Sequence, residues 1–428
     1  PYVWPHLKCP IYTTKFTAAL LEEKFNEHEI EFKDSLVIIE EKEEFSIGSF
    51  TIKALGLSHS IPEMNALIIK TPGLNIFHTG DWKMDEDPVA GGAFDDDKLK
   101  ELDKLNIDYL ICDSTNSIVP GKSGSESKVK DSLIEIISKI DGRIFLSTFA
   151  SNVARLTSVA EAAAINDRQV VLSGRGMHKI VNAAKKTGYF NGVPDFVDEE
   201  DAGYLPSDKA LILCTGSQGE FRAALSKIAR DEHRNLYAED GDTVIFSSKM
   251  IPGNEYGILR LQNLFAKKGV NVITEKDSFV HVSGHPCKDE LINMFNLIKP
   301  KYMIPVHGEH RHLRENANLA NRCNIDSMVI ENGDLLTLDK DGFGDLKKIE
   351  NGRVYKDGKI ILPDFESPSS DRSKLSFSGI IIISLQIQNN KIKSRPLVKS
   401  VGVPEYDELG IKLTDLIHER IANIMKSK

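Results

Sequence analysis

Two rhythms of apolar and polar positions divide the chain. Between residues 35 and 81 the apolar residues come in short runs: Ser35-Leu-Val-Ile-Ile-Glu40, Phe50-Thr-Ile-Lys-Ala-Leu55, Ala66-Leu-Ile-Ile-Lys70 and Asn75-Ile-Phe-His78. Pro72-Gly73 stands between the last two. Short β-branched runs separated by turn residues predict strands joined as antiparallel hairpins. From about residue 105 the apolar runs alternate with longer amphipathic stretches. Strands are predicted over 108–112, 143–147, 169–173, 210–214, 243–247 and 301–306, and helices over 128–140, 152–165, 218–230, 255–268 and 288–298. That alternation predicts βαβ units and a largely parallel sheet. Residues 351–373 are rich in Gly, Asp, Pro and Ser and read as a linker. The Ile380-Ile-Ile-Ile-Ser-Leu-Gln-Ile387 run and a helix-like 413–426 then predict a small α+β piece.

Composition narrows the class without naming a function. The 428 residues are 41% hydrophobic and 27% charged, with a formal net charge of −9. That is a globular balance, and no run of about 18 apolar residues is present to span a bilayer. The length suits roughly two to four domains. The net acidity argues mildly against a protein that coats nucleic acid, while leaving room for a local basic groove. Five scattered cysteines without a C-x-x-C pair exclude a disulfide framework and predict a reducing, cytoplasmic location. The opening Pro1-Tyr2-Val3-Trp4-Pro5 has no initiator Met and no signal-peptide core, and is expected to follow a segment further upstream.

Ligands of parallel α/β sheets bind outside the carboxyl ends of the strands, and here the loops at those ends are rich in small and hydroxyl residues. They read Asp113-Ser-Thr-Asn116, Thr148-Phe-Ala-Ser-Asn152, Ser173-Gly-Arg175, Thr215-Gly-Ser-Gln-Gly-Glu220, His281-Val-Ser-Gly-His285 and His307-Gly-Glu309. Any one such loop is explained by tight βα turns; the series points to an anionic ligand. His59, His281, His285 and His307 follow predicted strands, and Asp81 ends the His78-Thr-Gly-Asp81 run. Imidazole and carboxylate together suit zinc or manganese, which activate water as a nucleophile. His59, Asp81 and His307 are the predicted metal ligands. Ser217 lacks the first glycine of a G-x-S-x-G elbow, there is no P-loop, and the cysteines lie mainly in apolar runs, which speaks against those chemistries.

Taken in order, these motifs, together with His59-Ser-Ile-Pro-Glu63 and Ile251-Pro-Gly-Asn-Glu255, resemble the ribonuclease J family of β-CASP metallo-β-lactamase-fold nucleases over nearly the whole chain. The resemblance implies an α/β protein. A metallo-β-lactamase αββα sandwich (1–122 and 277–350) would be interrupted by a β-CASP domain (123–276), then followed by the linker (351–373) and a small C-terminal α+β domain (374–428). It implies two zinc ions per active site, with manganese or magnesium as substitutes: His59 on one ion, His307 on the other and Asp81 bridging. His285 and Asp113 would be the catalytic residues, the first acting at the scissile phosphate or leaving oxygen and the second orienting the site. The substrate would be held by His281, Val282, Ser283, Gly284 and His285, with Ser151 and Asn152. The implied activity is 5′-to-3′ exonucleolytic and endonucleolytic hydrolysis of RNA in rRNA processing and mRNA decay. The implied substrate is single-stranded RNA with a 5′ monophosphate, handled by a homodimer or homotetramer with no membrane partner.

The sequence departs from the family pattern at one place. The H-x-H-x-D-H motif, expected just before Tyr2-Val-Trp-Pro-His-Leu7, has no counterpart here, so His59, Asp81 and His307 are three of seven implied ligands. Weak metal binding and little activity are therefore expected unless an upstream segment is restored. Two alternatives stand beside the nuclease: an RNA-binding pseudoenzyme, and a metallohydrolase acting on a small ester or thioester.

Overall fold

The computed structural model describes residues 2–32, 34–41, 43–94, 99, 100, 102, 104–357, 360–363, 368–389 and 391–426. β1 (Ile11–Thr13) and β2 (Leu36–Ile38) pair in parallel, with the helix Lys15–Glu27 between them in sequence. β3 (Glu44–Ile47), β4 (Phe50–Gly56), β5 (Asn65–Lys70) and β6 (Asn75–His78) then form an antiparallel meander; the runs over 50–55, 66–70 and 75–78 are its last three strands, whereas the run over 35–40 is β2, paired in parallel outside it, and β3 was not expected. At the β5–β6 turn, Thr71 Oγ1 accepts from the N–H groups of Gly73 and Leu74, 3.3 and 2.9 Å away. β7 (Tyr109–Asp113) adds in parallel to β6.

The chain next builds a second sheet from β8 (Ile144–Ser147), β9 (Gln169–Ser173), β10 (Ala210–Cys214), β11 (Thr243–Phe246) and β12 (Asn271–Ile273). Its strands run parallel in the order β12-β11-β8-β10-β9. The chain then returns to the first sheet as β13 (Tyr302–Val306), parallel to β7, and β14 (Asp326–Ser327). The first sheet thus has seven strands in the order β14-β13-β7-β6-β5-β4-β3. β1 and β2 form a separate two-stranded sheet.

The reason for the apolar runs is visible in the five-stranded sheet, whose strands are covered on both faces. Leu146, Leu211, Leu213 and Ile245 pack against Leu133 and Leu156 on one side. Phe145, Ile212, Val244 and Phe246 pack against Leu225, Ile258 and Phe265 on the other. In the seven-stranded sheet, Leu55, Ile68, Phe77 and Leu110 share a core with Leu291, Phe295 and Leu319.

Three local expectations change. The helix expected over 218–230 is only Ala224–Ala229, because Gly216 and Gly219 take φ of +120° and +74° and end any helical run. The helices Arg175–Thr187 and His310–Arg322 were not expected: the first opens directly out of Ser173-Gly-Arg175, with Gly174 at φ +111°, and the second carries few apolar residues. The expected linker contains an antiparallel pair, Val354–Asp357 with Ile360–Pro363, and a helix, Pro368–Leu375; residues 358, 359 and 364–367 lie outside the described residues.

Two compact units result, Pro1–Glu331 with Leu336–Asp345, and Asn332–Leu335 with Leu346–Lys428. The smaller one holds the antiparallel pair Ile380–Ser384 and Leu397–Val401 and the helix Leu413–Lys426. No helix among the described residues is long and apolar enough to cross a membrane.

Candidate metal centre

Strand ends assemble the centre. β6 leads into Thr79-Gly80-Asp81, β7 ends on Asp113, and β13 is followed by His307. The β7–β13 register sets Val306 opposite Asp113, so the next residue, His307, lies beside the carboxylate. His307 has φ +57°, in the left-handed region that a β-carbon disfavours, and Gly308 follows at +142°. A non-glycine residue held there is a local strain of the kind that clusters at functional sites. Donor atoms of Asp81, Asp113, His285 and His307 all lie within 4.8 Å of one another.

Three imidazoles have their Nδ1 atoms engaged inside the protein. His59 Nδ1 lies 2.6 Å from the Gly284 carbonyl, which can only accept, so it carries the proton. His285 Nδ1 donates to Asp113 Oδ2 at 2.7 Å. Thr115 Oγ1 donates to Asp113 Oδ1 and accepts from His307 Nδ1, both at 2.7 Å. These partners assign Nδ1–H tautomers and leave each Nε2 with a free lone pair, the arrangement a metal-ligating histidine adopts. The rings form a row: His59 meets His285 edge-on at 4.9 Å between centroids, and His285 stacks on His307 at 5.2 Å.

Asp113 is fully buried. Burial alone would raise its pKa, but the hydrogen bond from His285 and the close approach of His307 outweigh it and hold the carboxyl well below the usual range. The Asp113 carboxylate, 3.4 Å from His307 Nδ1, with Asp81 nearby, raises the pKa of His307, whereas burial lowers that of His59. Asp113 is therefore held as a carboxylate and His59 as a neutral ring with a lone pair to offer, whereas the carboxylates beside His307 favour its protonated form, so a cation binding there displaces a proton.

The expected site residues do not all play one part. The four-donor cluster contains Asp81 and His307 together with Asp113 and His285, while His59 joins through its ring packing on His285. In the loop over 281–285, Ser283 Oγ accepts from Asn116 Nδ2 at 2.7 Å and from His285 N at 3.1 Å, which leaves its O–H free to donate. A β-carbon at Gly284 would sit 2.6 Å from His59 Cε1, so only glycine fits beneath that ring. His281 has a buried Nδ1 without a hydrogen-bond partner; burial first, then the charges of Arg155, Lys249 and Lys83, push its pKa down to about 3. The Val282 side chain is buried in the core. Ser151 is exposed, but Asn152 is spent inside the fold: its Oδ1 caps the helix Val153–Ile165 by accepting from Arg155 N, and its Nδ2 donates to Glu126.

Several supporting residues escaped the sequence reading. Arg155, with no exposed surface, forms a two-pronged ion pair with Glu126, both arms at 3.0 Å. Its Nη1 also donates to the Ser247 carbonyl, Ser247 Oγ and the Val280 carbonyl at 2.7–2.9 Å, just before His281. Glu290, equally buried, accepts from Met84 N, Ser123 N, Ser123 Oγ and Cys287 N, tying the loop after Asp81 to the segment after His285. The available signal was a charged residue among apolar neighbours in a helix, as in Val153-Ala-Arg155-Leu, and that pattern has no unique meaning. Burial pushes the thiols of Cys112 and Cys214 up to about 12 and that of Cys287 to about 11, consistent with inert core cysteines.

Comparison with known proteins adds to this geometry. Residues 141–265 match the family model "Ribonuclease J, beta-CASP domain", and residues 269–328 match "Zn-dependent metallo-hydrolase RNA specificity domain". The chain is 39% identical to a ribonuclease J of Sinorhizobium meliloti over 428 residues, covering 99% of this chain and 76% of that one. It is 36% identical to a ribonuclease J of Corynebacterium glutamicum and 32% identical to one of Helicobacter pylori, covering 92% and 91% of this chain. It spans only 56% and 58% of those two relatives. A crystal structure of a protein of unknown function from Enterococcus faecalis is similar with a TM-score of 0.52 at 17% identity, over 75% of this chain and 74% of that one. That last likeness bears on the fold alone.

Proposed function

Because the chain belongs to the ribonuclease J family of metal-dependent ribonucleases, we propose that it hydrolyses phosphodiester bonds of single-stranded RNA at the centre built around Asp113. The observation that carries this reading is the set of three histidines with Nδ1 engaged and Nε2 available, next to Asp81. In this reading His59, Asp81 and His307 hold divalent metal, zinc by preference and manganese or magnesium as substitutes, with two ions as in the family pattern. Such ions supply Lewis acidity to the phosphoryl group and to the attacking water.

The chain's own residues supply the rest. Asp113 accepts from His285 Nδ1 and so keeps the ring in one tautomer, which leaves Nε2 to exchange a proton with the leaving oxygen. The free Ser283 hydroxyl and the backbone of the 281–285 loop hold the substrate phosphate, with exposed Ser151 as a second partner. The activity is 5′-to-3′ exonucleolytic and endonucleolytic, directed at 5′-monophosphorylated RNA in decay and maturation, by a cytoplasmic homodimer or homotetramer. The pseudoenzyme and small-ester readings are not favoured by the relatives.

The test joins metal uptake to cleavage. Zinc per chain is measured by elemental analysis beside hydrolysis of a 5′-monophosphorylated single-stranded RNA. Asp81→Asn and His307→Ala should lower uptake, whereas His285→Ala should retain it and lose about 10²–10⁴-fold in cleavage rate. Cleavage that survives both a chelator and His285→Ala would refute the assignment.

A further inference from the structure

Beyond the metal centre, the rim of the five-stranded sheet carries two large aromatic rings that the core does not use. Phe221 is 65% exposed and Tyr256 81% exposed. Both line a small groove of about 160 Å³ together with Gly219, Arg230, Gly257 and Arg260.

Their placement is rigid. The backbones of Gly219 and Gly257 touch so closely that a β-carbon at 219 would lie 2.5 Å from the Gly257 carbonyl carbon. Gln218 ties the Gly219 loop to the segment that leads into the helix of Gly257 (Glu255–Lys267): its Nε2 donates to the Lys249 carbonyl at 3.0 Å, and its Oε1 accepts from Ile251 N at 3.0 Å and Asn254 Nδ2 at 3.3 Å. Residues 221 and 256 flank this close approach of the two glycines. Arg230 lies over the Phe221 ring at 4.0 Å and donates to the Phe221 carbonyl, so the ring is held while one face stays open.

The groove lies where the segments after two strands of the five-stranded sheet, β10 and β11, meet. Lys249, whose carbonyl Gln218 grips, is one of the cations that act on His281. Arg222 and Arg260 are exposed and form no ion pair among the described residues. Fixed, exposed aromatic faces beside free guanidinium groups suit unpaired bases, which stack on the rings while the phosphates meet the cations. A duplex, its bases already stacked, offers no such faces.

We propose that Phe221 and Tyr256 form a base-stacking platform for single-stranded RNA, with Arg222 and Arg260 neutralising the backbone of the strand that enters the metal centre. The inference rests on the ribonuclease reading and extends it to a subsite outside the metal ligands.

The test is RNA binding without turnover. Fluorescence anisotropy of a 3′-labelled, 5′-monophosphorylated 20-nucleotide RNA in EDTA compares the protein with the Phe221→Ala/Tyr256→Ala and Phe221→Tyr/Tyr256→Phe pairs. The alanine pair should weaken binding by about tenfold or more, given the usual worth of one or two base stacks. The conservative pair should bind within about twofold of wild type, as any aromatic face supports stacking. On an oligonucleotide of the same length made abasic, wild type and the alanine pair should bind alike. Arg222→Gln/Arg260→Gln should make the fall of log affinity with log salt shallower, by about 0.7 for each phosphate no longer neutralised. Wild-type binding left unchanged by the alanine pair overturns the platform, and so does an alanine pair whose oligomer dissociates in sedimentation, which would make the surface an interface between copies. Failure of the wild type to bind RNA at all overturns the ribonuclease reading as well, so the two failures are distinguishable.

Discussion

The two halves of the candidate centre are positioned by different physics. Asp81, Asp113 and His307 sit at the ends of β6, β7 and β13, where the backbone ladder of the seven-stranded sheet sets their spacing. The 281–285 loop lies in no strand and is held by buried polar groups: Arg155 and Ser247 at Val280, Glu290 at Cys287, and Asn116 at Ser283 and His285. A ladder spreads its stability over many hydrogen bonds. A buried network concentrates it in a few side chains, each costly to leave unpaired. The loop half should therefore respond to single substitutions much more sharply than the strand half.

The largest effect is expected at Arg155. Arg155→Leu leaves Glu126 charged and unpaired in the core and should cost about 3–5 kcal/mol in denaturant unfolding. An effect below about 1 kcal/mol would mean that the network is not what holds the loop. Next comes Gly284→Ala, whose added carbon meets the His59 ring; overpacking of this kind costs about 1–3 kcal/mol, and loss of metal uptake should accompany it. Ser247→Ala removes one hydroxyl shared by Arg155 and the Val280 carbonyl and should cost about 1 kcal/mol. On the strand half, Thr115→Val should change stability least, while releasing His307 Nδ1 and so altering the pH dependence of metal uptake.

The comparison also has a pH signature. His281 is held neutral in the folded state, with a pKa of about 3, against an unfolded value near 6.5. Between those values the unfolded chain binds more protons, so this residue's contribution to stability is full above about pH 6.5 and declines as pH falls toward 3. Urea midpoints measured from about pH 7 to about pH 5 should fall, and His281→Gln should flatten the decline. An unchanged slope in that variant would show that the residue titrates normally.

Much of this was legible before any coordinates, for reasons that differ by residue. The β4–β6 part of the antiparallel meander followed from short β-branched runs, because the strand period and the turn residues are local properties, whereas the parallel pairing of the 35–40 run with β1 is not local and was not foreseen. His59, Asp81, His285 and His307 stood out because an imidazole or carboxylate just after a strand is a position where chemistry gathers. Asn152, expected to bind substrate, drew notice for the same reason, but a polar residue after a strand serves equally well as a helix cap, and that is the part it plays here. The helix Arg175–Thr187 was hidden because Ser173-Gly-Arg175 has the composition of a loop, although its glycine serves as the residue before the first helical turn.

By itself, then, the sequence determined the elements and the chemical inventory: which runs are strands, which side chains can bind a cation, and which family pattern they follow. Only the tertiary structure decided that β7 and β13, nearly two hundred residues apart, pair in the register that sets His307 beside Asp113. It alone placed Arg155 against Glu126 and Val280, so that a charge within an apolar helix became the support of a loop 125 residues away. The physical reason is one of range. Backbone preference and hydrophobic period act over a few neighbours, whereas hydrogen-bond partners and burial are set by residues that become neighbours only when the chain has folded.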